Sequence, residues 1–220
     1  MVLASKNVLY ISKVNDITNF SYFEDMQYTH TEMAPSTEWQ DPKVPEYVSI
    51  TTTSQQITAN SGMFFLIATD ENEYIQNVVS EDNLFIFTLS SEFAIPGGST
   101  AINARVKMLS RVGSCAIQPR FIAQAPLFVN QSRTKLYFAG ETPVDITKYA
   151  DHLFKNDKIV AIDYISDPDS VVLVTTASGL VYYGTITAEG ISFIRIQTAG
   201  TVLKTVGIRG YNRDDVYVVC

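Results

Sequence analysis

The stretch Val171–Gln197, VVLVTTASGLVYYGTITAEGISFIRIQ, decides the fold. Three β-branched and aromatic segments, Val171–Thr176, Leu180–Thr187 and Ile191–Gln197, are divided by Ala177-Ser178-Gly179 and Ala188-Glu189-Gly190. Such residues suit a pleated surface, and each segment has strand length. Glycine supplies the positive φ that a tight reversal needs. The stretch therefore predicts an antiparallel meander, and Val202–Ile208 and Val216–Val219 are expected to continue it.

The same signature recurs towards the N-terminus. Val8–Ile11, Val48–Thr53, Met63–Ala68 and Leu84–Leu89 read as strands, and Leu127–Val129 and Leu136–Phe138 as a hairpin with the polar tip Asn130–Lys135. Twelve tyrosines and twelve phenylalanines against one tryptophan agree with a strand-rich chain. A hydrophobic content of 46% with 18% charge excludes a disordered one. One helix of about three turns is predicted after Asp145, which can cap it, with Ile146, Tyr149, Ala150, Leu153 and Phe154 on one apolar face. Residues 27–46 contain Pro35, Pro42 and Pro45, which remove backbone donors and predict a surface loop.

The expectation is a single β-rich domain over residues 1–220: mainly β, an irregular β-propeller-like arrangement of antiparallel meanders with one short helix. A blade takes roughly 40–45 residues, so about five fit at most. No repeat of the WD or kelch type is present, and a two-sheet sandwich is the competing architecture.

No constellation for chemistry emerges. The two histidines, His30 and His152, belong to no HExxH or similar pattern. Ser132-Arg133-Thr134-Lys135 matches Ser-x-x-Lys, but on a hairpin tip its two side chains would diverge rather than share a helix face. Pro96-Gly97-Gly98-Ser99 has no lysine or helix to complete a phosphate cradle. The acidic groups Asp70, Glu71 and Glu73, Glu81 and Asp82, Asp163, Asp167 and Asp169, and Asp214 and Asp215 read as turn residues. Cys115 and Cys220 form no CxxC pair, which favours a reducing place of assembly. No long apolar run suits a signal peptide or a membrane span. The chain is expected not to be an enzyme and to take no cofactor or metal.

Charge is more informative. Between Glu92 and Glu141 there is no acid, yet Arg105, Lys107, Arg111, Arg120, Arg133 and Lys135 all fall there. Of the net −7, these six cations leave −13 on the rest of the chain. Such asymmetry fits a face made for an acidic neighbour. It equally fits edge strands that use cations against aggregation. These six residues are the candidate subunit or adaptor interface.

Several strings, in order, resemble the tail nozzle proteins (tail tubular protein B) of short-tailed bacteriophages. They are Asn7–Lys13, Asn15–Phe20, Asp82–Thr88, Ser91–Ile95, Arg111–Ser114 with Gln118-Pro119, Leu127–Val129, Asp145–Thr147 with His152–Phe154, and Asp167–Val174 running into Gly179-Leu180. Family members are considerably longer, with sequence ahead of the point where this chain begins, so the resemblance implies a C-terminal portion of a larger propeller. It also implies a structural virion protein, assembled in the host cytoplasm, whose six-fold ring below the tail adaptor forms part of the DNA-ejection channel. Expected partners are further copies of the chain, the adaptor, fibre proteins and passing DNA, without sequence-specific binding and without a membrane. A free-standing propeller interaction module and a carbohydrate-active tail protein are the competing readings.

Overall fold

A computed structural model describes residues 1–33, 47–67, 73–122, 125–187 and 190–220. The protein is mainly β, its sheets from residue 24 onwards that carry a register are antiparallel, and among the described residues there is one short helix. It divides into two compact units. The smaller comprises Met1–Leu3, Leu9–Phe65 and Thr100–Ala104, and the larger Ala4–Val8, Leu66–Ser99 and Arg105–Cys220.

β1 (Val2–Ser5) and β2 (Val8–Ile11) are followed by the long pair β3 (Glu24–Met33) and β4 (Tyr47–Gln56). β5 (Met63–Leu66) then joins a sheet of order β1-β2-β5, most of which lies in the smaller unit. β3 corrects part of the predicted loop over residues 27–46. Gln27–Met33 is paired strand, running from Gln27↔Thr53 to Met33↔Tyr47. Tyr28, Thr29 and Thr31 carry strand preference, and the prolines lie beyond this segment. Residues 34–46, with all three prolines, lie outside the described residues.

The larger unit contains three four-stranded sheets in chain order, each a simple up-and-down meander. The first is β6 (Ile75–Ser80), β7 (Leu84–Thr88), β8 (Glu92–Ile95) and β9 (Lys107–Ser110). The second is β10 (Arg120–Ile122), β11 (Ala125–Val129), β12 (Leu136–Phe138) and β13 (Val144–Asp145). After α1 (Asp151–Phe154), the third is β14 (Ile159–Ile165), β15 (Val171–Thr176), β16 (Val181–Thr187) and β17 (Gly190–Ile196). Among the described residues the last two strands, β18 (Lys204–Arg209) and β19 (Asp214–Val219), form a two-stranded sheet of their own. The predicted meander thus forms as read through β17, but β18 and β19 do not extend its sheet.

The turns follow their chemistry. Gly179, at φ 81°, reverses β15 into β16. At the 130–135 tip, the Asn130 Oδ1 accepts from the Thr134 and Lys135 amides at 2.9 and 3.0 Å, while Arg133 takes φ 61°. An asparagine side chain that mimics a backbone turn in this way fixes the hairpin locally.

The core explains the continuous apolar runs. Side chains alternate across a strand, and in β11 both sets are buried. Leu127 and Val129 join a cluster with Ile159, Ile162, Val172 and Val174 of the third sheet. Phe128 instead meets Phe87 of the first sheet, ring centroids 5.1 Å apart. The second sheet is therefore covered on both faces. β15 repeats the arrangement: Val172 and Val174 face the second sheet, while Val171 and Leu173 cluster with Ile165 and Tyr183. Each such fully buried side chain stabilises the fold by about 1.5–3 kcal/mol.

The predicted three-turn helix is a single turn. Asp145 is paired with Tyr137 as the end of β13, and its Oδ1 accepts from both the amide and the hydroxyl of Thr147, at 2.9 and 2.8 Å. That side-chain turn holds residues 146–150 out of regular helix, and the following bonds reach three residues back, Ala150 to Thr147 and Leu153 to Ala150. Phe154 and Ile146 are buried as expected, but Tyr149 is 70% exposed.

Candidate interface site

The six candidate cations do not form one free surface. Lys107 pairs with Glu141, Arg120 with Asp163, and Lys135 with Asp145 at 2.7 Å and Asp151 at 3.7 Å. The hydrogen bond from the Lys107 ammonium holds the Glu141 carboxyl below its ordinary value, and the hydrogen bond to the Asp145 carboxylate holds the Lys135 ammonium above its own. Arg105, Arg111 and Arg133 are exposed and form no ion pair among the described residues. The acid-free window is thus local in sequence only. Its counter-charges come from residues 141, 145, 151 and 163, which the meander folds back alongside it.

The Ser132–Lys135 pattern parts as read. Ser132 Oγ bonds to Asn130 and Thr134, both at 2.8 Å, while Lys135 turns to Asp145. His152 is exposed on α1. Cys115 is buried and Cys220 exposed, and both are free thiols. Among the described residues no group of three or more His, Cys, Asp or Glu side chains is placed to hold a metal ion. Among them also, no helix is long and apolar enough to cross a membrane.

Asp163 is not the turn residue that its sequence neighbours suggest. It sits within β14, with its side chain 6% exposed. Its Oδ1 lies 3.0 Å from Arg120 Nε, an ionic contact without hydrogen-bond alignment, and its Oδ2 accepts from Arg120 Nη2 at 3.4 Å. Oδ2 also accepts the Gly207 amide of β18 at 2.9 Å. One carboxylate therefore ties β10, β14 and β18, the first strands of three consecutive sheets. Gly207 permits that approach, since a Cβ there would lie 2.7 Å from Ile165 Cγ2 and 3.0 Å from the Tyr164 carbonyl. The preceding pair of sheets is tied in a related way. Asn77 of β6 donates to the carbonyls of Cys115 and Ile117, just ahead of β10, at 3.0 and 3.1 Å.

Beside this tie, a cleft of about 350 Å³ opens, lined by Gln118, Arg120 and Lys204 together with Ile117, Ile162 and Leu203. The sequence marks neither Gln118 nor Lys204 as a site, because only the approach of separate sheets brings them together. No protein-family model and no curated protein sequence matches the chain.

A second polar cluster occupies the β7–β8 turn. Glu73 accepts from the hydroxyls of Thr88, Ser90 and Ser91. Glu92, 1% exposed, accepts from Ser110 and from the Val112 amide through Oε2, while its buried Oε1 has no hydrogen-bond partner among the described residues. Burial pushes the Glu92 carboxyl up from 4.5 to about 6, the Ser110 and Val112 hydrogen bonds opposing the shift and the Glu73 charge adding to it.

A carboxyl with a raised folded value binds its proton more tightly folded than unfolded. Its contribution is complete below about pH 4.5 and is lost as pH rises through about 6, a loss of about 2 kcal/mol. Glu92→Gln, which cannot ionise, is expected to flatten urea-unfolding stability across that window. A slope equal to that of the unchanged protein would assign it to another group.

Proposed function

We propose that the chain is a non-catalytic structural subunit, an irregular propeller-like domain of a phage tail nozzle ring through which DNA passes. The observation that carries the reading is the Asp163 tie. Successive four-stranded meanders whose first strands converge are the building plan of a propeller, and here Arg120, Asp163 and Gly207 join the first strands of two such meanders and of the β18–β19 pair. Charge supports the channel role: a chain of net −7 repels phosphate, so DNA can slide past without sticking. Assembly is supported by the β18–β19 pair, where Ile208, Tyr217, Val218 and Val219 are all about half exposed. Apolar surface of that kind is commonly covered by a partner.

In this reading Arg105, Arg111 and Arg133 face a neighbouring subunit or the adaptor, while Lys107, Arg120 and Lys135 serve the chain's own fold. Native mass spectrometry with negative-stain electron microscopy tests it. A six-fold ring with a central hole is expected, and the triple reversal of Arg105, Arg111 and Arg133 to glutamate is expected to dissociate it. A monomer, alone and with the adaptor, would overturn the ring and favour a free-standing interaction module, for which the exposed β18–β19 surface also speaks.

A further inference from the structure

We propose that the cleft beside β10, β14 and β18 is a binding site for a small oxyanion, the phosphate or carboxylate group of a ligand. Three residues with donor side chains line it, Gln118, Arg120 and Lys204. Asp163 occupies one edge of the Arg120 guanidinium, through Nε and Nη2. A guanidinium has five N–H donors, so both hydrogens of Nη1 and one of Nη2 remain for a ligand. The Lys204 ammonium and the Gln118 amide have no partner among the described residues, and both residues are exposed.

The charged residues lining the cleft are Arg120 and Lys204, and the Asp163 partner of Arg120 offsets one of the two charges, so the cleft is positive within a chain of net −7. That local sign makes it a place where an anion is attracted rather than repelled. Asp163 also fixes the guanidinium before a ligand arrives, which reduces the ordering cost of binding. Ile117, Ile162 and Leu203 supply apolar wall beside these donors. A volume of about 350 Å³ is near the lower limit for small-molecule sites and suits one oxyanion-bearing group rather than a duplex. The site lies wholly within the larger unit, so it stands or falls independently of ring formation.

The test is isothermal titration of the full chain with sodium phosphate and, separately, with N-acetyl-hexaglutamate, at constant ionic strength held by chloride. Saturable binding to one site is expected for at least one probe, weakened at least ~tenfold in Lys204→Glu. It should be unchanged in Lys148→Glu, a charge reversal at an exposed lysine away from the cleft. Circular dichroism confirms that both variants are folded. Phosphate binding alone identifies a free ion or phosphorylated small molecule as the source. Peptide binding that competes with phosphate identifies a protein carboxylate, and either result supports the site. No saturable binding with either probe, or equal affinity in Lys204→Glu, overturns it.

Discussion

Asp163→Ala is expected to lower the unfolding free energy by about 3 kcal/mol, read as a fall in the urea midpoint at constant slope. The carboxylate is buried and serves two strands at once, so its removal leaves the Arg120 guanidinium without its counter-charge and the Gly207 amide without its acceptor. Breaking a fully buried pair costs about 3–5 kcal/mol. Arg120 remains 32% exposed, which places the expected loss at the lower end. Asp163→Asn keeps an acceptor for Gly207 but no charge, and should cost about half as much. A loss below about 1 kcal/mol in the alanine variant would mean that water replaces the carboxylate, and that the three first strands are held by packing alone.

The second large effect is expected at Phe154. Phe154→Ala should destabilise by about 3–5 kcal/mol, because the ring is fully buried and its removal leaves a cavity. It meets Tyr182 and Phe193 edge-on, with centroids 5.4 and 5.3 Å away, so the single turn of α1 acts as a plug on the third sheet. Tyr149→Ala, five residues earlier on the same predicted apolar face, should change stability by less than about 0.5 kcal/mol, since its ring is 70% exposed. Equal effects at the two positions would restore the three-turn helix that the sequence suggests. Thermal and urea unfolding of both variants decide the matter.

The contrast between these two aromatics shows what was legible. Periodicity located an apolar segment at 146–154 but could not register that Asp145 spends its side chain on Thr147 instead of opening a helix. Long strands with tight glycine turns were readable because both signals are local, as at Gly179. The short strands β10 and β13, of three and two residues, carry no pattern of their own and exist only through their partners. β14 was obscured by the charge in its middle, Asp163, whose value appears only when Arg120 and Gly207 arrive from 43 and 44 positions away. The same long-range folding hid the internal partners of Lys107 and Lys135. A charge count along the chain measures neighbours in sequence, whereas a salt bridge depends on neighbours in space.

The double coverage of β11 changes how its alignment is protected against error. In a sheet with one wet face, a one-residue slip turns apolar side chains into water and is punished at once. In β11 the slip would exchange Phe128 for Leu127 and Val129 between two dry neighbours, so burial alone supplies little correction. What remains is volume: a phenyl ring sent where a leucine belongs overfills one interior and leaves the other hollow. The Asn130 tip, which fixes the hairpin from its own residues, therefore acts as the proofreader of the central sheet. An exchange of that asparagine should show itself in misassembled product more than in the melting point of the molecules that fold correctly.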